Sequence, residues 1–150
     1  MNDLFDLSAP PPPPATEEEI GAAERSLGIR LPRSYRNILL VRDGGWIARR
    51  KFRTSAPTSW APDHIQVNRL FGVHGDRGLG GRFGTRYMAA EWDLPTAAVL
   101  AFGTPACGHD AVMLDYSSNS VDPPVIYVDE DRTALVLASS FQEFIDRLEP

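Results

Sequence analysis

Val99-Leu100-Ala101-Phe102-Gly103, then Cys107-Gly108-His109-Asp110, Ala111-Val112-Met113-Leu114-Asp115-Tyr116 and Pro124-Val125-Ile126-Tyr127-Val128-Asp129 form three short apolar runs separated by polar links. Each run is rich in β-branched or aromatic residues and is closed by Gly, Pro, Ser or Asp, which is the pattern of consecutive strands. The links are too short for a crossover helix, so the strands are expected to be antiparallel. Carboxylates stand at their ends: Asp110, Asp115, Asp129, Glu130 and Asp131. If the strands pair, these five acids are candidates for a shared acidic rim that binds a partner.

On either side lie helices with clear start signals. Thr16-Glu17-Glu18-Glu19 reads as a capping box: the Thr16 hydroxyl accepts from the Glu19 N–H and the Glu19 carboxylate reaches back. Ile20, Ala23 and Leu27 mark one face, and Gly28 suits a left-handed C-terminal residue. A second helix is expected near Pro32, with Tyr35, Ile38 and Leu39 as its apolar stripe and Gly44-Gly45 as its stop. Trp46–Phe52 and His64–Phe71 read as strands, 72–84 as a flexible glycine-rich loop, and Thr85–Trp92 as a short helix. Ala134–Ala138 reads as a further strand. Ser140 and Glu143 form a second capping box, followed by Phe141, Phe144, Ile145 and Leu148 at i, i+3, i+4 and i+7. The order predicts an α+β fold: a mostly antiparallel central sheet with N-terminal helices and a C-terminal helix packed on it.

At 150 residues the chain suits one domain, burying roughly two thirds of its unfolded surface. The organisation expected is a proline-rich mobile tail over 1–15, including Pro10 to Pro14, and a single domain over 16–150. A lone cysteine excludes an internal disulfide and fits a reducing compartment. No segment reaches the ~20 apolar residues of a membrane span, and no basic-then-apolar leader is present. The expected address is cytoplasmic, with no membrane partner.

Charge is distributed unevenly. Residues 1–19 carry five acids and no base, 20–90 carry thirteen Lys or Arg against four acids, and 91–150 carry eleven acids against two bases, for a net of −5. Either a partner reads this asymmetry or the blocks neutralise one another in the fold.

The order of elements resembles a known family. Leu27-Gly28-Ile29-Arg30-Leu31-Pro32-Arg33-Ser34-Tyr35-Arg36, then Leu39-Leu40 and Gly44-Gly45, is similar to the N-terminal signature of the SUKH superfamily. Gly108-His109-Asp110, Leu114-Asp115-Tyr116 and Val125-Ile126-Tyr127 resemble its middle strands. Ala138-Ser139-Ser140-Phe141 with Phe144 and Leu148 resembles its closing helix. Val41-Arg42-Asp43 departs from the family, which often has Asn before the glycine pair. The resemblance covers about 16–149. It implies an α+β fold and protein binding rather than catalysis, as in the fungal Smi–Knr cell-wall regulators and the bacterial immunity proteins that neutralise polymorphic toxins. A regulatory or scaffolding adaptor is the alternative.

Chemical alternatives are thin. Cys107 and His109 could form a nucleophile and base, but no third group orients them. Cys107, His109, Asp110 and Asp115 lack the second paired motif of a structural zinc site. From Asp129, a calcium loop would need Gly at Ala134 and Glu at Ser140. Gly78, Gly80, Gly81 and Gly84 miss the dinucleotide pattern at Phe83. No metal or cofactor is therefore expected. Arg49-Arg50-Lys51-Phe52-Arg53 with Trp46 and Trp60 could meet a nucleic acid, but an ion-paired strand face suits an acidic chain better. The partner expected is a cognate toxin or another protein, with no nucleic acid.

Overall fold

The computed structural model describes residues 3–59, 61–94, 98–100 (backbone only), 110–118, 121–129, 131 and 134–150. Helix α1 spans Glu17–Leu27 and has the full capping box at Thr16, with Gly28 left-handed at its end. Helix α2 spans Arg33–Leu39, entered from Pro32. It stops before the glycine pair, because the Val41 and Arg42 N–H groups both turn back to Ile38 O.

Four short strands follow: β1 Gly45–Trp46, β2 Lys51–Arg53, β3 His64–Gln66 and β4 Arg69–Leu70. The two longer strands expected from the sequence are thus each broken. β1 pairs with β4 and β2 with β3, both antiparallel. Ile47 N donates to Asn68 O and Val67 N to Arg50 O, so Ala48 and Arg49 are two extra residues bulged out between the pairings. Ile47 N–H faces β4, so the Ala48 N–H faces the opposite edge, where it meets Leu4 O at 2.8 Å.

That contact places part of the segment 1–15, expected as a mobile tail, against β1. Phe5 bridges Ile47, and Asp6 N donates to Trp46 O at 3.0 Å. Leu4 is 1% exposed and Phe5 7%. Ala15 is also buried, its N–H bonded to Leu39 O. A proline run cannot join a ladder, but the residues before it can, and here they occupy the free edge of β1.

Glycines in 72–84 allow close backbone approach rather than free movement. A side chain at Gly84 would collide with Gly78 O, and one at Gly72 with the Asp43 carboxyl. Leu79 is fully buried and its N–H bonds Gly72 O. His74 closes the segment onto α1, with Nε2 2.9 Å from Glu19 and Nδ1 3.0 Å from Asp43. Asp43 also accepts from the Val73 and His74 N–H groups.

Helix α3 spans Thr85–Glu91. The main sheet is an antiparallel meander, β5 Ala98–Leu100, β6 Ala111–Asp115, β7 Val125–Val128 and β8 Ala134–Ala138, in spatial order β5-β6-β7-β8. β7 is buried along its length and Ala111–Leu114 of β6 is fully buried. Helix α4, Phe141–Asp146, starts at Ser140, which accepts from Glu143 N. The Glu143 carboxylate bonds Ser139 rather than Ser140, so only half of the expected capping box forms. Phe144 and Leu148 are fully buried, and Glu149 pairs with Lys51 through both backbone bonds. Stacked ring pairs Tyr35–Phe141 and Phe52–Phe144 tie α4 to α2 and β2. The fold is α+β.

Leu4→Ala should cost about 2–5 kcal/mol in urea unfolding, as for a buried leucine; a change within experimental error would mean that the N-terminal segment contributes no packing. The latch predicts a pH dependence. The Glu19 hydrogen bond and then the Asp43 charge raise the His74 pKa above its usual 6.5, against burial, which lowers it. A raised folded pKa gives stability that is fully present below 6.5 and fades as pH rises through the folded value. His74→Asn should therefore cost more stability at pH 6 than at pH 9 (paired urea curves); an equal cost at both would show that protonation is not involved.

Candidate partner-binding site

The antiparallel register decides where the acids go. Ala111 faces Val128 and Leu114 faces Val125, so Asp110 and Asp129 lie at one end of the β6–β7 pair and Asp115 at the other. The five acids therefore do not share one rim. Glu130 lies outside the described residues, as do Cys107, His109 and Trp60.

Asp110 is only 2% exposed. In the ladder its diagonal neighbour across β7 is Tyr127, on the same face. The Tyr127 hydroxyl donates to Asp110 Oδ2, with Ser59 Oγ 3.5 Å from both. Burial, and then this bond to a carboxylate, push the Tyr127 pKa well above the usual 10. Asp110 Oδ1 is buried and without a hydrogen-bond partner among the described residues. Asp110, expected among the partner contacts, is thus placed as an interior group that joins two strands. Asp115 accepts from Ser117 N at 3.0 Å, and Asp129 from Asp131 N at 3.0 Å. Both are turn-forming carboxylates; Asp131 is exposed.

Part of the basic excess in 20–90 is neutralised by acids from elsewhere. Arg49 lies 3.7 Å from Asp3, Arg50 3.8 Å from Asp6 and Arg53 3.1 Å from Glu149. The Arg49–Arg53 stretch is thus an ion-paired face. One basic area differs. The end of α1, the loop 28–32 and the start of α2 border an open groove of about 720 Å³. Arg25, Arg30, Arg33 and Arg36 line it. Arg36 bonds Glu17 and Glu24. The buried Glu24 also accepts from Leu31 N at 2.7 Å, and Tyr116 Oη donates to Arg30 O, so both sides of the loop are pinned. Arg25, Arg30 and Arg33 are exposed and have no ion pair among the described residues. Sequence reading missed this groove; the available signal was four arginines in 25–36 straddling Gly28 and Pro32.

Among the described residues, no group of three or more His, Cys, Asp or Glu is placed to hold a metal ion. No helix among them is long and apolar enough to cross a membrane.

An antiparallel meander closed by a capped helix, with its charges set on open surfaces, defines a small α+β domain of the SUKH type. The model of the SMI1 / KNR4 family (SUKH-1) matches residues 14–147, and the chain belongs to that family. No curated protein matches it in sequence. The docked Leu4 and Phe5 precede the matched region.

If Asp110 is structural, Tyr127→Phe should lower stability by about 1–3 kcal/mol or more, because it strips a buried carboxyl of its donor. Urea unfolding checks this; an unchanged midpoint would return Asp110 to the candidates for partner contact.

Proposed function

We propose that this chain is a non-catalytic protein-binding domain, an immunity protein of the bacterial kind that neutralises a cognate polymorphic toxin by covering its active site. Its family membership over 14–147 carries the reading. The proposal includes a cytoplasmic site of action, no metal or cofactor, and no nucleic-acid or membrane partner. A regulatory adaptor would use the same binding chemistry and differ only in the partner; a toxin whose activity is not blocked by the chain would favour it. An enzyme built on Cys107 and His109 would lose turnover on Cys107→Ala.

For the contact surface we propose the turn after β7, Asp129-Glu130-Asp131, meeting a basic patch on the partner, with Asp115 as a second contact at the opposite end of the sheet. Exposed carboxylates of this kind chiefly raise the association rate and are screened by salt. The few buried anchors that set dissociation would come from neighbouring apolar surface.

The triple substitution Asp129→Lys, Glu130→Lys, Asp131→Lys should slow association with the partner at low salt. The gap should close as salt rises, and dissociation should change little. Stopped-flow association at two salt concentrations tests this; equal rates at low salt would eliminate the acidic turn as the electrostatic contact.

A further inference from the structure

Arg49, Arg50, Arg53 and Arg147 are each within ion-pair distance of a carboxylate. Arg42, Arg69 and Arg82 lie over aromatic rings and Arg86 donates to Ser26. In the α1–α2 groove, Arg25, Arg30 and Arg33 make no such contact among the described residues and are gathered in one place. Two carboxylates face it from α1, Glu17 and Glu24, and both are committed to Arg36. A third, Asp122, follows Val121 at the rim, and its charge acts on the Tyr116 hydroxyl. Four arginines against these three carboxylates leave a positive excess at the groove, in a chain of net −5.

Its shape is fixed. Arg33 and Arg36 are three apart on α2 and share a face. Arg36 is held by two carboxylates, and the Glu24–Leu31 bond fixes the loop carrying Arg30. The guanidinium groups of Arg25, Arg30 and Arg33 are thus presented from a rigid frame with their donor forks free among the described residues. Such forks match planar carboxylates in bidentate geometry.

The lining also contains accessible apolar surface: a half-buried Ile29 and a 74% exposed Val121 at the rim. No aromatic side chain is among the lining residues, so the groove offers no platform on which bases could stack. Carboxylates interleaved with aliphatic side chains fit this surface; a nucleic acid strand lacks the second part of the match and is repelled by the net charge.

We infer that the α1–α2 groove binds an acidic segment of a protein partner, its Asp or Glu side chains on Arg25, Arg30 and Arg33 and its aliphatic residues against Ile29 and Val121. The inference rests on the protein-binding reading for the class of partner, and it adds a basic docking surface distinct from the acidic turn after β7. It holds for a toxin or a regulatory partner alike.

The test is a fluorescence-anisotropy titration of the full chain with a labelled peptide of alternating Glu, Asp and Leu. Controls are the same peptide with Gln and Asn in place of the acids, and single-stranded oligo-dT of equal length. The acidic peptide should bind, more weakly as salt rises. Arg30→Glu with Arg33→Glu should reduce its affinity about tenfold or more, while Asp129→Lys with Asp131→Lys should not. The two arginines are exposed, so the reversal should keep the wild-type unfolding curve; if it does not, Arg30→Gln with Arg33→Gln replaces it and should give a smaller loss in the same direction. Three results would overturn the inference: no binding of the acidic peptide to the wild-type chain, equal binding of its neutral counterpart, or tighter binding of oligo-dT. Because the peptide is titrated without any cognate partner, loss of the groove inference leaves the toxin-neutralising reading standing, and the reverse.

Discussion

Tyr35 makes two contacts on which the architecture converges. Its ring stacks on Phe141 with centroids 4.7 Å apart, and its hydroxyl donates to Phe71 O at 2.6 Å. The first joins α2 to α4, elements 106 residues apart at these two positions; the second reaches the end of the β1–β4 ribbon. Burial, with the Asp43 charge beyond it, holds the phenol far above its usual pKa, so it stays a neutral donor. A buried carbonyl left without a donor would cost about 1–3 kcal/mol, so the hydroxyl matters as well as the ring. Phe52–Phe144 repeats the arrangement one strand away, with rings 4.9 Å apart. Together these pairs close the N-terminal half over the meander. His74 joins Glu19 in the first turn of α1 to Asp43 in the loop after α2, which is why a surface histidine can influence a helix start.

Signals carried by neighbours in sequence were readable. Thr16 with Glu19, Gly28, the β6 and β7 runs and the stripe of α4 each depend on residues within a turn or a strand of one another, and all form. What escaped depends on partners brought from afar. Leu4-Phe5 is too short a pair to declare a strand, and it makes a single bridge to Ile47 at the edge of β1. The Ala48–Arg49 bulge splits what reads as one strand from Trp46 to Phe52. Glu143 bonds Ser139 in place of Ser140, a choice between two adjacent hydroxyl residues that the spacing alone does not make.

The candidate site was less legible than the fold, for a reason of geometry. The acids lie within 22 residues of sequence, from Asp110 to Asp131, yet the antiparallel register sends them to opposite ends of two strands and turns one inward. Alternation predicts which face a strand residue shares, but not whether that face meets solvent or core. Asp110 follows β6 to the core face, where Tyr127 supplies the donor. The arginine groove shows the converse. Its residues come from a helix end, a loop and a second helix, so neither a period of 2 nor one of 3.6 groups them.

Charge pairing in three dimensions explains how one chain can carry two opposite surfaces. The N-terminal acids Asp3, Asp6 and Glu17 each meet an arginine from 20–90, so the first and second charge blocks partly cancel within the fold. These exposed pairs add little stability individually, but they set where unbalanced charge remains. Arg25, Arg30 and Arg33 at the α1–α2 groove keep no ion pair among the described residues, and the turn after β7 is the acidic counterpart proposed above. A partner with a mixed surface would then be oriented before contact, because a wrong approach brings like charges together and costs free energy. Orientation by two separated charges of opposite sign restricts the approach more than one uniform field does. A frame closed by the Tyr35–Phe141 stack would hold the two proposed surfaces apart at a set distance, so such discrimination would survive thermal motion of the exposed side chains.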